Sequence, residues 1–406
     1  MIGIPVSFFR RKRRVSLILG LASLVLCLAI LQSEYLWIGP PFDDLSRFVY
    51  RIAFFIVMPF RVFVVPFFPK VDHHWTLAHH LVATIGAPWF YYAVYRQVRR
   101  FIARRKALTF HRQELVRDSL IDRRQFLTRS ATGSFGLAVT GFTGYSTLVE
   151  PQSLSVERYT VPIQDLPPRF EGLRIVQLSD THYGPYTAGS FIERVLARAQ
   201  ELNPDFIALT GDYVHFTQRA IPEGLNLFEP LRARYGVVAV LGNHDHWENG
   251  PACTSALESV GIPCIDNKRL FLTAKGLSDS EDFGDSICIG GVGDLWEDRV
   301  QFEQALRGAS PTTPRIVLSH NPDTAELIQQ HQRVDLMLSG HTHGGQISLP
   351  KYGPPVLPSK FGRKYLGGLC EGPRCRVIVS RGVGLAGVPL RFRVQPEIVE
   401  ITLQRA

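Results

Sequence analysis

Two patterns of hydrophobic and polar positions divide the chain near residue 150. Residues 1–150 contain long apolar runs separated by basic stretches, whereas residues 151–406 alternate short apolar runs with amphipathic segments. Long uncharged runs are typical of membrane segments, and short apolar runs that alternate with helical periodicity indicate an α/β domain. The pattern therefore predicts a membrane region of about three helices at 1–150 and a folded α/β domain at 151–406.

Three apolar runs lie in the first hundred residues. The run at 15–33 has 19 residues without a formal charge and follows a basic block at 10–14. It is long enough to cross a hydrocarbon core of about 30 Å, and no small-residue cleavage site follows it, which favours an uncleaved span over a signal peptide. A second run at 75–95 ends in a basic stretch. The run at 52–69 contains Pro59, Arg61 and Pro66, which favours an interfacial segment that does not cross.

Residues 122–149 resemble a twin-arginine export signal. Arg123 and Arg124 are followed by Gln125, Phe126 and Leu127, and then by a weakly apolar, uncharged run at 130–149 that is rich in Gly, Ser and Thr. The alternative is the positive flank of an ordinary membrane helix. In either case the run at 130–149 is predicted to enter the membrane.

The basic stretches predict a topology. Residues 10–14 are all basic and residues 96–129 hold 11 basic and 3 acidic side chains, so both stretches should stay cytoplasmic. The runs at 15–33 and 75–95 then cross, and 130–149 crosses once more. This order places residues 151–406 on the extracytoplasmic side of a bacterial inner membrane. If 52–69 also crosses, the domain faces the cytoplasm instead.

Residues 151–406 carry the elements of the predicted α/β domain. Short, fully apolar runs predict strands, and apolar positions at helical spacing predict helices. The predicted strands are 173–178, 206–209, 237–241, 287–289, 315–318 and 336–338, and the predicted helices are 191–202, 252–260, 300–306 and 323–330.

Charge supports a membrane partner over a nucleic acid. The 406 residues include 45 Lys and Arg against 36 Asp and Glu. Residues 1–130 hold 20 basic and 7 acidic side chains, whereas residues 131–406 hold 25 and 29. Because the positive charge lies beside apolar runs and outside the folded domain, we expect a membrane and no nucleic acid as partner.

Cys370 and Cys375 lie close enough in the sequence for a local disulfide, and two buried free thiols are the alternative.

Polar side chains follow five of the predicted strands directly. The segments are Asp180-Thr181-His182, Gly211-Asp212, Gly242-Asn243-His244-Asp245, His320-Asn321 and Gly340-His341-Thr342-His343. The carboxyl ends of strands present side chains to ligands in α/β sheets. Imidazole and carboxylate donors suit Mn, Fe or Zn better than Ca, and two such ions about 3.5–4 Å apart need a carboxylate between them. The pattern therefore predicts a site for two divalent metal ions.

These five segments, in this order, resemble the signature of the calcineurin-like metallophosphoesterases. The resemblance extends from about residue 173 to the C-terminus and implies a four-layer αββα sandwich. It implies that Asp180, His182, Asp212 and His343 hold one ion, and that Asp212, Asn243, His320 and His341 hold the other. His244 matches the family's catalytic histidine, with Asp245 expected to orient it, and Asn243 and His244 would contact the substrate phosphate. The Gly-Gly-Gln after His343 and the segment 380–384 resemble a branch that includes membrane-attached bacterial phosphoesterases.

The sequence thus predicts a membrane-tethered dinuclear phosphoesterase that cleaves a phosphoester, in particular a phosphodiester, through a hydroxide held between two ions. Two alternatives remain open. One is a pyrophosphatase that acts on a nucleotide-activated lipid, for which Phe361, Tyr365, Leu366 and residues 385–390 are candidates to line an apolar trough. The other is a metal-stabilised membrane scaffold without activity.

Overall fold

The computed structural model describes Ser134, Gly141, Phe142 and residues 144–406. The predicted membrane runs at 15–33, 52–69 and 75–95, the arginine pair and most of 130–149 lie outside these described residues. Within the described part of the chain, no helix has the length and hydropathy that a membrane crossing requires. Residues 141–406 form one compact unit.

Twelve strands and four α-helices make up the described unit. The strands are β1 Ser155–Ile163, β2 Arg174–Leu178, β3 Phe206–Thr210, β4 Val237–Val240, β5 Lys268–Thr273, β6 Gly276–Ser278, β7 Ile287–Gly291, β8 Arg315–Leu318, β9 Leu336–Ser339, β10 Gly368–Glu371, β11 Arg376–Val379 and β12 Glu397–Arg405. The helices are α1 Gly189–Glu201, α2 Ala220–Asn226, α3 Asn243–Ser259 and α4 Phe302–Ala305. The 3₁₀ segments are Glu150–Gln152, Pro168–Phe170, Pro322–Leu327, His343–Gly345 and Gly362–Tyr365, and Tyr145–Val149 is a π-helical turn.

The strands form two mixed sheets. The first has the order β1-β12-β2-β3-β4, in which β2, β3 and β4 run parallel and β12 is antiparallel to β2. The second has the order β10-β11-β9-β8-β7-β5-β6, with β11, β9, β8 and β7 parallel. The carboxyl ends of the parallel strands therefore lie along one edge of each sheet.

Three buried apolar clusters order the layers. The first cluster lies between the helices α1, α2 and α3 and the first sheet. The second lies between the two facing sheets, where Ile175 and Val240 of the first sheet pack in one cluster with Ile289 and Leu318 of the second. A third covers the outer face of the second sheet beneath α4 and the short 3₁₀ segments, and includes Tyr365 and Cys375. Helices, sheet, sheet and short helices thus follow one another, in the order that the family resemblance implied.

The predicted strands match the observed ones to within one or two residues, and the helix at 191–202 is α1. The helix expected at 323–330 is wrong, because Pro322–Leu327 forms a 3₁₀ helix. The Asn321 side chain caps it by accepting from Asp323 N, and the Thr324 hydroxyl donates to the Asn321 carbonyl, so side-chain bonds compete with α-helical ones. The five described cysteines are free thiols, including Cys370 and Cys375.

Candidate metal centre

The predicted site residues meet at the carboxyl ends of both sheets. Asp180 and His182 follow β2, Asp212 follows β3, Asn243 opens α3 after β4, His320 follows β8, and His341 and His343 follow β9. The amide of Gln177 on β2 joins the sheets beneath the site, donating to Ser339 O at 2.8 Å and Thr210 Oγ1 at 3.1 Å.

One cluster contains Asp180, His182 and His343, all buried, with ligand atoms within 4.8 Å of one another. The Nε2 atoms of His182 and His343 are 3.0 Å apart, and His343 Nε2 is 3.2 Å from Asp180 Oδ1. The two imidazole nitrogens and the carboxylate oxygen thus converge on one point. This is the arrangement expected of ligands around a shared cation.

A second cluster contains Asp212, His320 and His341. Asp212 Oδ2 lies 3.1 Å from His320 Nε2, and His320 Nε2 lies 3.2 Å from His341 Nδ1. The same Asp212 oxygen is also 3.5 Å from His182 Nε2 of the first cluster. One carboxylate oxygen therefore faces imidazoles of both clusters.

The hydrogen bonds of the second cluster favour metal-ligating forms. His320 Nδ1 lies 2.8 Å from the Thr210 carbonyl, which can only accept, so Nδ1 carries a proton and Nε2 is the atom that faces Asp212. Burial opposes a charge on this ring, yet the neighbouring carboxylates, Asp212 first, raise the pKa of His320 well above its usual value, so this position is one that attracts a cation. Asn243 is buried and its Oδ1 has no hydrogen-bond partner among the described residues. A buried amide oxygen without a partner requires another electropositive neighbour, and the donor set around it fits divalent ions.

Electrostatics also favour a cation. Asp180 is fully buried, which opposes ionisation, yet the imidazole of His343 holds the pKa of this carboxyl below its usual range. Burial followed by the charge of neighbouring imidazoles lowers the pKa of His182 and His341. Neutral imidazoles and ionised carboxylates are the forms that bind metals.

The backbone at the site is unusual. Asp180, His182, Asp212, His341 and His343 all have left-handed backbones, with φ between 44° and 68°. Such conformations cost about 1–3 kcal/mol each for side chains other than glycine, and they are typical of functional sites. The remainder of the fold therefore holds these five candidate ligand residues against their local backbone preference.

Two glycines make room for the carboxylates. A Cβ on Gly242 would overlap Asp212 Oδ1 and lie 2.8 Å from His320 Cγ. A Cβ on Gly340 would overlap Asp180 Oδ2 and Ser179 Oγ. The glycines that precede Asn243 and His341 in the sequence are thus needed for close approach.

His244 contacts a histidine that the sequence analysis did not single out. His215 is buried, and its Nδ1 lies 2.7 Å from His244 Nδ1, while its Nε2 has no partner among the described residues. The two rings form a third cluster with His182, and burial lowers the pKa of His215 to about 3. The only signal in the sequence was its place three residues after Asp212.

The expected contact between Asp245 and His244 is wrong. The Asp245 carboxylate accepts from the backbone amides of Asp212 and Tyr213, both at 2.8 Å, and of Gly242 at 3.0 Å. Burial and the Asp212 carboxylate raise the pKa of Asp245 to about 8. Asp245 therefore fixes the backbone that presents Asp212, and the ring partner of His244 is His215.

Comparisons with known proteins agree with this geometry. The calcineurin-like phosphoesterase family matches residues 173–345. The chain is 34% identical over 293 residues to the uncharacterized metallophosphoesterase YkuE of Bacillus subtilis, covering 70% of this chain and 98% of YkuE. It is 32% identical over 290 residues to the phosphodiesterase YaeI of Escherichia coli, covering 70% and 100% of the two chains.

The protein belongs to the calcineurin-like metallophosphoesterase family. It is also 33% identical over 243 residues to the UDP-2,3-diacylglucosamine pyrophosphatase LpxG of Chlamydia trachomatis, covering 50% of this chain and 73% of LpxG. This family consists of metal-dependent phosphoric ester hydrolases, which confirms the predicted enzyme class.

The segment 380–384 of this metallophosphoesterase packs directly beneath Asp180. Val383 N donates to Ser179 O at 3.0 Å and Gly384 N donates to Asp180 O at 2.6 Å. Arg391, which is fully buried, donates to the Gly382 and Gly384 carbonyls and approaches His343 Nδ1 at 3.4 Å. The segment thus supports the backbone of the cluster that contains Asp180, His182 and His343.

Of the residues expected to line an apolar trough, Tyr365 is instead part of the apolar cluster on the outer face of the second sheet.

Proposed function

We propose that this protein is a membrane-tethered phosphoesterase with two divalent ions, which hydrolyses a phosphoester and in particular a phosphodiester. The observation that carries the proposal is the position of Asp212, whose Oδ2 faces His320 at 3.1 Å and His182 at 3.5 Å. A single oxygen between two groups of imidazoles is the arrangement that a pair of neighbouring ions requires.

Each ion would have a defined set of ligands. Asp180, His182, Asp212 and His343 would hold one ion, and Asp212, Asn243, His320 and His341 the other. When bound, the ions lower the pKa of a coordinated water and neutralise charge on the phosphoryl oxygens. The mixture of imidazole, carboxylate and amide ligands favours Mn, Fe or Zn.

His244 would act on the substrate directly. Its backbone amide donates to Asp212 Oδ1 at 2.8 Å, so its position is fixed relative to the proposed bridging ligand. We infer that His244 and Asn243 contact a phosphoryl oxygen and that His244 donates a proton to the leaving oxygen. His215 would hold the His244 ring, and Asp245 would hold the loop.

The membrane tether rests on the sequence of residues 1–150. We propose that the runs at 15–33 and 75–95 cross a bacterial inner membrane. Phe142 and Ser146 of the run at 130–149 contact the folded domain, so we propose that this run enters the membrane only through its residues before Phe142. This order would place the domain at 151–406 on the extracytoplasmic side. The net charge of residues 1–130, which hold 20 basic and 7 acidic side chains, supports this orientation. The twin-arginine-like segment at 122–149 fits export of a folded, metal-loaded domain.

A second candidate is a pyrophosphatase acting on a nucleotide-activated lipid. The similarity to LpxG favours it, because that relative is named as a pyrophosphatase of a UDP-linked diacylglucosamine. The same residues would serve both reactions, since each breaks a bond from phosphorus to oxygen at a pair of ions. A metal-stabilised membrane scaffold is the alternative without catalysis.

Turnover by the full chain in detergent tests the proposal. We expect hydrolysis of an aryl phosphodiester with added Mn²⁺, and loss of hydrolysis in His244→Ala with the metal content unchanged. Wild-type protein that binds two ions without hydrolysing the diester or a nucleoside diphosphate lipid would support the scaffold. Hydrolysis of the nucleotide-linked lipid alone would support the second candidate.

A further inference from the structure

One wall of the metal centre is a long loop at 347–361, here called the rim loop. It starts beside the site, where Phe392 N donates to Gln346 O at 2.9 Å and Ser348 N donates to Phe392 O at 2.8 Å. It ends where Ser359 Oγ and Lys360 N donate to the Asp323 carboxylate at 2.6 Å and 2.7 Å. Both ends are thus fixed, and the first of them directly follows the segment that carries His341 and His343.

The middle of the rim loop also lies against the ligand-bearing segment. A Cβ on Gly345 would overlap Pro354 and would lie 2.9 Å from the Val356 carbonyl. The backbone of Pro358 lies close enough to the His341 imidazole to affect its pKa. A surface that contacts the rim loop therefore lies next to the segment that carries His341 and His343.

The rim loop exposes large apolar side chains. Tyr352 and Val356 are 75% and 73% exposed, and Leu349 and Phe361 are 41% and 45% exposed. Single exposed apolar residues are common, but four within thirteen residues beside a catalytic centre form a patch. Such a patch is typical of a surface that binds an apolar partner.

The charge of the same stretch points to a particular partner. Residues 347–366, which comprise the rim loop and the five residues after it, contain four basic side chains, Lys351, Lys360, Arg363 and Lys364, and no Asp or Glu. Of the four, Lys364 pairs with Glu326, and Lys351 and Lys360 lie in the rim loop itself. Interspersed basic and apolar residues bind membrane interfaces, where the apolar groups enter the acyl boundary and the cations meet anionic headgroups. A protein partner would have to supply both an apolar and an acidic surface.

The chain that arrives from the predicted membrane run joins this face. The Phe142 and Phe392 rings are 4.7 Å apart, and Arg391 N donates to Ser146 O at 2.9 Å. Tyr145, Leu148 and Val149 are 43%, 47% and 50% exposed. The last predicted membrane run therefore ends beside the strand-like pairing of Ile347 with Phe392 that starts the rim loop.

We propose that the rim loop docks on the surface of a bilayer that contains anionic lipid, so that the metal centre takes phosphoesters carried by lipid headgroups. The inference rests on the proposed phosphoesterase function and names the substrate class of the same site. Docking would bring the metal centre close to the plane of the lipid headgroups. A long tether without docking would leave the metal centre surrounded by water, away from the lipid.

A spin label measures docking directly. Full-length Val356→Cys and Phe283→Cys are each labelled with a nitroxide and reconstituted in phosphatidylcholine vesicles with phosphatidylglycerol, and labelled wild type gives the background from native cysteines. Phe283 is a matched control, because it is 81% exposed and precedes the amino end of β7, opposite the metal centre. We expect a water-soluble nickel complex to reach the label at 356 several-fold less than the label at 283.

Equal access at the two positions would overturn docking. Protection at 356 that persists without vesicles and increases with protein concentration would overturn it in favour of contact with a second copy. Protection that requires phosphatidylglycerol supports the proposed lipid surface.

Activity separates this inference from the function on which it rests. The substrates are a soluble bis(p-nitrophenyl) phosphate and the p-nitrophenyl phosphodiester of a dialkylglycerol in the same vesicles. We expect Tyr352→Glu/Val356→Glu to lose at least tenfold on the lipid substrate only, and Phe283→Glu to change neither rate. Equal rates of wild type and double variant on the lipid would overturn docking, whereas a wild type that hydrolyses neither substrate would overturn the phosphoesterase proposal.

Discussion

His215 Nδ1 lies 2.7 Å from His244 Nδ1, with the His215 ring buried and the His244 ring partly buried. Two ring nitrogens at this distance share one proton, so one histidine donates and the other accepts. If His215 donates, a neutral His244 carries its remaining proton on Nε2, which is the tautomer that can donate a hydrogen bond to a leaving oxygen. The contact therefore links His215, which lies outside the predicted signature, to the role proposed for His244 at the leaving oxygen.

Replacement of His215 tests that connection. We expect His215→Leu to lower kcat by about 10²-fold, because general acid catalysis contributes at least that much, with KM and bound metal unchanged. His215→Asn keeps an N–H donor for His244 and should retain kcat within about tenfold of wild type. Steady-state kinetics and elemental analysis check both variants. Equal losses in the two variants would show that His215 only fills space.

The glycine before Asn243 gives a second prediction. Gly242→Ala places a Cβ against Asp212 Oδ1 and His320, so we expect reduced metal binding, at least a tenfold loss of activity and a destabilisation of about 1–3 kcal/mol. Gly189→Ala in α1 is the control, because its Cβ would come no closer than 3.4 Å to another group, Tyr183. Calorimetric metal titration compares the two. Normal metal affinity in Gly242→Ala would contradict the close approach.

A buried carboxyl away from the ligands predicts a dependence of stability on pH. Burial raises the pKa of Asp266 to about 7, and its carboxylate accepts from Leu241 N. Because the folded pKa exceeds the unfolded value, the folded state binds more protons between about pH 4 and 7, and stability from this group is lost as pH rises through that window. Asp266→Asn retains the acceptor without the charge. We expect it to be more stable than wild type by about 2–4 kcal/mol above pH 7 and similar to it near pH 4.

Thermal denaturation of the two proteins across this pH range checks the prediction. A difference between them that does not change with pH would mean that Asp266 is ionised normally in the folded state.

Protease treatment tests the proposed topology. If residues 151–406 lie on the extracytoplasmic side, protease added to intact spheroplasts should digest the domain while a cytoplasmic marker survives. A domain that stays protected until the membrane is lysed would contradict export. That result would leave the phosphoesterase assignment unchanged.

The candidate ligand positions could be proposed from the sequence because each one follows a short strand that is buried except for an arginine at the start of β2 and of β8. The side chains of β3, Phe206–Thr210, are all buried, and the next polar residue with a side chain is Asp212. Parallel strands bring such residues to a common edge regardless of their separation in the chain. Local pattern and topology therefore sufficed for these positions.

Other features depend on contacts that no local pattern encodes. The pairing of His215 with His244 joins residues 29 positions apart, and the Asp245 carboxylate binds backbone amides, which look the same at every residue of a sequence. The start of α3 was predicted nine residues late, because its first residues are polar and Pro251 lies inside it. Strands β1, β5, β6, β10, β11 and β12 were not predicted, since each contains polar residues or positions that are not fully buried.

The metal content of the full chain tests the central proposal most directly. Elemental analysis of protein loaded with Mn²⁺ and freed of excess metal should find two ions in wild type and in His244→Ala. It should find almost none in Asp212→Ala, because that substitution removes the one oxygen that faces His320 and His182. Two ions retained by Asp212→Ala, or a single ion in wild type, would contradict a pair of ions held by Asp212.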